Sequence, residues 1–433
     1  MSSSGLWKRM SLLSAVLCLT LAGGCDLLAP TPPVMKSDAG RVAIDAKHVL
    51  LSAADDKDDF TRAEAIEALG QTLGTDCGNT YIQALQDRSP VVRFAAAIVA
   101  GDLKYSPAKP ELLRMAQVAA DGERDKRVFA GVVYALYRMG NTDHTRELTP
   151  LLFDAESEVR ANVALVMGKM GNVHAMPPLK ALRGSERNPA VQIQLKDSLA
   201  MLGDPGSIES LEGYARSSIY VDERVPAIQS LGKLRDRQAV YLLRNMDRPG
   251  EPVLVRLVTA GALSQLGLYS QVGYDFCLRT VQDPVKVLSE SSGGKIEIKP
   301  EDASKAEILA AISLGQMGNV AAVDSLQPIL RSADGSARVA AAKSILTLLP
   351  AYQRAQPPLA QPVVPPVAPA APAVKPPLPV TKPVPPAVKP ATPSVTPAPG
   401  VVKPTLPAPA ATSAPVQKPT VARPKLITSG AKD

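Results

Sequence analysis

Aromatic residues make up 4% of the chain, and its one tryptophan, Trp7, lies near the start. So few rings leave little for a stacking platform, which weighs against base stacking on nucleic acid and against specific glycan recognition. Histidine is equally scarce: His48, His144 and His174. His144 and His174 follow turn glycines of adjacent units, with Asp143 alongside, but their spacing is no metal-ligand signature and reads as chance placement in loops. None of the four cysteines forms a CxxC pair, and HExxH, GxSxG and Walker A patterns are absent. Ser-x-x-Lys matches include Ser230–Lys233 and Ser292–Lys295; the first abuts Gly232 at a helix end and reads as accidental. These absences argue against a pocket enzyme. The expectation is no catalytic residue, no cofactor and no metal.

What the chain has instead is a repeat. An Arg, a run of small and aliphatic residues and a late Gly recur as RAEAIEALG (Arg62–Gly70), RFAAAIVAG (Arg93–Gly101), RVFAGVVYALYRMG (Arg127–Gly140) and RANVALVMGKMG (Arg160–Gly171). The series continues through QIQLKDSLAMLG (Gln192–Gly203), RVPAIQSLG (Arg224–Gly232) and RLVTAGALSQLG (Arg256–Gly267), and ends with EILAAISLGQMG (Glu307–Gly318) and RVAAAKSILTLL (Arg338–Leu349). Most first-residue intervals are 31–34 residues and one is 51. A near-fixed period in this range is the mark of stacked supersecondary units.

Each unit reads as a helical hairpin. Val159, Val163, Val166 and Met170 have helical spacing. The Gly is expected to end the first helix in the left-handed conformation, and Asn or Asp after it to cap a second. Ser89-Pro90 and Asn188-Pro189 mark helix starts. Asp87, Asp154 and Asp222 precede the repeated arginines and are placed to pair with an Arg of a neighbouring unit. The arginines Arg62, Arg93, Arg127, Arg160, Arg224, Arg256 and Arg338 therefore read as structural; Gln192 and Glu307 interrupt the series.

DRSPVVRFAAAIVAG (Asp87–Gly101) and DAESEVRANVALVMGKMG (Asp154–Gly171) resemble HEAT repeats of the short type named for phycobilisome lyases. The resemblance spans residues 41–350. It implies an all-α fold, an α-solenoid of about nine hairpins, and leaves function open, because fold does not fix function.

The ends differ from the middle. Residues 1–24 carry Lys8 and Arg9 before the apolar run Ser11–Ala22, too short to span a membrane, and read as a signal peptide. Leu21-Ala22-Gly23-Gly24-Cys25 resembles a bacterial lipobox, which implies lipidation of Cys25; Ala22 stands where the family prefers Leu. Such an anchor holds stably to a membrane. Asp26 is, by the same resemblance to enteric lipoproteins, an inner-membrane retention signal, although inner and outer membrane both stay open. Residues 25–40 form a linker.

Residues 351–433 hold 23 prolines and read as a disordered polyproline-type tail. Its 83 residues would reach on the order of 250 Å if extended. Lys375, Lys382, Lys389 and Lys403 recur in Lys-Pro pairs, and the tail's nine basic residues face one acid, Asp433. The excess positive charge of the chain thus lies outside the repeats, and the tail is a candidate contact for anionic lipid or cell wall. Nucleic acid is not expected.

The long interval marks an insertion at 281–304. Val285, Val287, Ile296 and Ile298 alternate about Gly293-Gly294, which predicts a short β-hairpin. Cys77 and Cys277 sit in units far apart in sequence and are expected to be unpaired, buried thiols. The expectation that emerges is a non-enzymatic scaffold, lipid-anchored in the bacterial envelope, offering the repeat surface to protein partners. A wall tether acting through the tail is the alternative. A chromophore-lyase role, known among relatives of this repeat, conflicts with export.

Overall fold

The computed structural model describes residues 35–117, 125–217, 219–295 and 297–355. The expected signal peptide, Cys25, Asp26 and the tail lysines Lys375, Lys382, Lys389 and Lys403 lie outside them. The described residues form nineteen α-helices and six short 3-10 turns, with no strand among them. No described helix is long and apolar enough to cross a membrane.

After α1 (Ala39–Ala53), nine long first helices succeed one another: α2 (Asp59–Thr72), α4 (Pro90–Asp102), α6 (Lys126–Arg138), α8 (Ser157–Met170), α10 (Pro189–Met201), α12 (Val221–Leu234), α14 (Val253–Gln265), α17 (Pro300–Met317) and α19 (Gly335–Ala355). Between them run the second helices α3 (Gly78–Ala84), α5 (Lys109–Gln117), α7 (Leu148–Leu151), α9 (Met176–Ser185), α11 (Pro205–Ser217), α13 (Val240–Met246), α15 (Gln271–Gln282) and α18 (Ala322–Leu326), with α16 (Pro284–Ser291) as an extra element. Each first helix packs on the next, and α19 packs back on α1 and α2. The solenoid is therefore closed into a ring. The second helices pack mainly on the first helices, which places the first helices on the inside.

Closure is both apolar and polar. Val42, Ala46 and Leu50 of α1 share one core with Ile345, Leu348 and Leu349 of α19. Arg338 donates from Nη2 to Asp56 Oδ2 at 3.0 Å. Asp324 accepts from the Lys36 N–H at 2.9 Å and from the Ser37 N–H at 3.0 Å. Residues 35–38, expected as part of a loose linker, thus belong to the folded ring. At the other end α19 runs to Ala355, past the expected tail boundary at 351, with Pro350 inside it.

Two kinds of glycine occur where the sequence suggests one. Gly70, Gly101 and Gly232, expected as helix ends, lie within α2, α4 and α12. There they let the next first helix approach: a Cβ on Gly101 would lie 2.9 Å from Ala135 Cα, and one on Gly232 would lie 2.8 Å from Ala262 Cα. Gly168 and Gly315 hold the same register, against Ser198 and Ser344. The left-handed turns come later, at Gly140, Gly171, Gly203, Gly267 and Gly318, and at the non-glycine residues Lys104 and Arg235.

The insertion corrects a second expectation. Residues 284–291 form helix α16 rather than a hairpin strand. The Asp283 side chain accepts from the Lys286 N–H at 2.9 Å, and Pro284 occupies the first turn, so helix-start signals override a short alternation.

Candidate functional site

The repeated arginines build the loops and leave little for a ligand. Arg62 forks onto Asp87 of the next unit, Nε to Oδ2 at 2.9 Å and Nη2 to Oδ1 at 2.8 Å, while Nη1 donates to the Asp56 and Lys57 carbonyls. Arg93 reaches Asp125, Arg160 reaches Glu186 and Arg224 reaches Glu251, each one unit on. Arg338 makes the same step across the closure to Asp56. Arg127 departs by pairing with Asp125 of its own unit, and Asp154 pairs with Lys126 instead of an Arg. Gln192 fills its place by donating to the Arg183 and Glu186 carbonyls. Arg256 makes no salt bridge, although Asp247 lies near enough to favour its charge; its Nε is buried without a hydrogen-bond partner and its guanidinium lies 3.7 Å from the Phe276 ring centroid. Ser89 precedes α4 but bonds Asp59 instead of capping, whereas Asn188 caps α10 through the Ala190 and Val191 N–H groups.

The inner wall carries chemistry of another kind. The helices crowded around Glu67 partly desolvate its carboxyl, still accessible to solvent, and raise it, against the fields of Lys343, Lys233 and Lys169. Those groups belong to α2, α19, α12 and α8, so helices remote in sequence converge on one centre. Lys169 Nζ pairs with Asp102 Oδ2 at 3.1 Å, joining α8 to α4 past the intervening α6. It does so 5.3 Å from the centroid of Tyr134, whose hydroxyl donates to Asp102. Burial lowers the Lys343 ammonium, and Glu67 partly restores it. Charges of both signs therefore line the centre.

Beside this network the α10–α12 seam opens into a groove of about 740 Å³. The seam is where the core divides: Leu195 and Leu199 of α10 join the core that spans the closure, while Ile193 and Ala200 join a second core with Ile228 and Leu231. Pro226, inside α12, lacks the N–H that would bond the Asp222 carbonyl, which loosens that side. Asp197 lines the groove at 8% exposure, and its Oδ1 has no hydrogen-bond partner. Burial pushes the Asp197 carboxyl up, with Ser230, Lys233 and Gln194 opposing. Ser230 and Lys233, an accidental pair by sequence, both line this groove. The adjacent Lys196 turns toward α11, its Nζ 4.7 Å from the Tyr214 centroid, and burial holds it down to about 8.

The remaining sequence candidates stay apart. His144 Nδ1 lies 2.7 Å from Glu147 Oε1, and no group of three metal-ligating side chains occurs among the described residues. Cys77 and Cys277 are unpaired and buried, and burial pushes the Cys277 thiol up to about 12, far from a nucleophile's range. Sequence reasoning missed Asp197, Glu67 and Lys343. The available signal was an acid or lysine inside an otherwise apolar helical run, as in QIQLKDSLAMLG.

Residues 47–130 and 119–200 match the family model of HEAT repeats. No curated protein matches the sequence. Among solved structures, the chain is similar to the complex of CpcE and CpcF of phycocyanin lyase from Nostoc sp. PCC7120, at 16% identity over 61% of this chain and 98% of that one, with a TM-score of 0.35. Human deoxyhypusine hydroxylase in complex with glycerol is similar at 15% identity over 72% and 98%, with a TM-score of 0.32. An engineered protein is similar at 14% identity over 70% and 98%, with a TM-score of 0.25.

Proposed function

We propose that this chain, whose residues 47–200 match HEAT repeats, is a non-enzymatic interaction scaffold held in the bacterial cell envelope by lipid at Cys25. The observation that carries the reading is the inner wall, where Glu67, Asp102, Lys169, Lys233 and Lys343 gather from helices far apart in the chain. Glu67, Asp102 and Lys233 stay accessible to solvent and the set is arranged in no catalytic pattern, which favours recognition of a polar partner surface over chemistry. The lipid anchor raises the local concentration of the ring at the membrane, and the basic tail adds a second, weaker contact, so avidity supplements affinity.

The test is in-cell crosslinking with mass spectrometry on the native lipoprotein, beside a variant ending at Ala355. Recovery of the same protein partners from both assigns recognition to the ring. Loss of partners with the tail, or recovery of wall fragments through the tail alone, replaces the scaffold reading with that of a tether.

A further inference from the structure

The α10–α12 groove combines features the scaffold reading does not require. It follows two inner helices from Asn188 and Tyr220 at one end to Asp197 and Lys233 at the other. Along α10 the nine residues from Asn188 to Asp197 rise about 14 Å, the length of a short extended peptide. Its walls include Ile193 and Pro226, and Tyr220 stands 62% exposed at its mouth. Its charge is lopsided: Asp197, Asp222 and Glu223 against Lys233 alone. At its floor an acidic oxygen, Asp197 Oδ1, lacks any donor despite being out of solvent.

A carboxyl buried without a donor on one oxygen costs stability unless something supplies the missing partner. The ring itself supplies none at Oδ1. We propose that this groove is a binding site for an arginine or lysine side chain presented by an extended segment of a partner polypeptide, with Asp197 as the anchoring carboxylate. The apolar stem of such a side chain fits against Ile193 and Pro226 while its cationic head reaches Asp197. A guanidinium serves the carboxylate with two parallel donors, which makes arginine the better occupant. Asp222, exposed beside the groove, draws the cation to the mouth. The volume of about 740 Å³ leaves room for the residues flanking the anchor.

The site is tested on the full-length chain purified in detergent, by calorimetry with acetyl-Gly-Arg-Gly-amide, its citrulline counterpart and free agmatine. The expected result is saturable one-to-one binding of the arginine peptide, at least tenfold weaker binding of the citrulline peptide, and at least tenfold loss in Asp197→Asn. That variant keeps the shape of the side chain and removes a buried charge, so its thermal transition should be no lower than that of the wild type. Asp222→Asn, at an exposed position, gives a second reading independent of folding, with a several-fold loss expected. Equal binding by Asp197→Asn, or by the citrulline peptide, overturns the proposal. Binding of agmatine without the peptide overturns it in favour of a small-amine site. Absence of saturable binding up to millimolar peptide assigns Asp197 a purely internal role, with Lys233 as its counter-charge.

Discussion

Gly168 and Gly171 stand three residues apart and are glycine for different reasons. At Gly168 a Cβ would sit 2.8 Å from the Ser198 Cα, a backbone atom that cannot step aside. Gly168→Ala is therefore expected to cost about 1–3 kcal/mol through overpacking. Gly171 has open space around it but a φ of 71°, so its alanine variant costs about 1 kcal/mol through backbone strain alone. Gly213, exposed within α11 with nothing nearby, serves as the control: Gly213→Ala should gain about 0.5–1 kcal/mol. Urea denaturation of the three variants separates the causes. The arginines divide in the same manner. Arg62→Ala strands Asp87 and should cost about 3 kcal/mol, whereas Arg256→Leu, which removes a guanidinium with an unpartnered Nε, should stay within about 1 kcal/mol of wild type.

Glu186 gives this residue scale a pH signature. Its bidentate contact with Arg160, at 2.6 and 3.0 Å, and two backbone N–H donors hold its carboxyl down to about 2 from 4.5. A depressed carboxyl stabilises the fold above the unfolded value and loses that contribution as pH falls through the folded one. Glu186→Gln is thus expected to lower stability by about 2–3 kcal/mol at neutral pH. The gap to wild type should be constant above pH 5 and narrow steadily from 4.5 toward 2. A gap independent of pH across that window would mean the ion pair contributes nothing.

At the scale of elements, the helices were legible wherever punctuation and period agreed. The Asn188-Pro189 start of α10 and the Gly171 and Gly318 ends of α8 and α17 are plain in the chain. The insertion departs from the expected hairpin because the alternation of Val285, Val287, Ile296 and Ile298 about Gly293-Gly294 has little force beside the cap and proline of Asp283-Pro284. The glycines of α2, α4 and α12 were misread because a sequence does not distinguish a glycine that turns the chain from one that admits a neighbour. Asp283→Ala should cost α16 its cap, about 1 kcal/mol locally, seen as faster amide exchange over 284–291 with α17 unchanged. Global exchange instead would mean that α16 is integral to the ring.

For the whole molecule, period and composition give stacked hairpins but not their closure. Whether nine units meet depends on a small rotation at each step, summed around the series, and that rotation is set by contacts such as Gly101 on Ala135 that span units. The Arg338–Asp56 pair looks in sequence like any two distant charges; in the ring it is the same step that joins Arg62 to Asp87. Closure also explains how Glu67 feels lysines from α8, α12 and α19, and why the candidate site was out of reach of a linear reading.

Closure is tested most directly by crosslinking the two sides of the seam. A Cβ on Gly335 would lie 3.2 Å from the Thr61 Cβ, close to the separation a disulfide spans. With Cys77 and Cys277 replaced by alanine, Thr61→Cys/Gly335→Cys is expected to oxidise rapidly within one chain, giving a monomer whose peptides from α2 and α19 are joined by a disulfide. An open solenoid would leave both thiols free to alkylation, or form only links between molecules, and would contradict the ring.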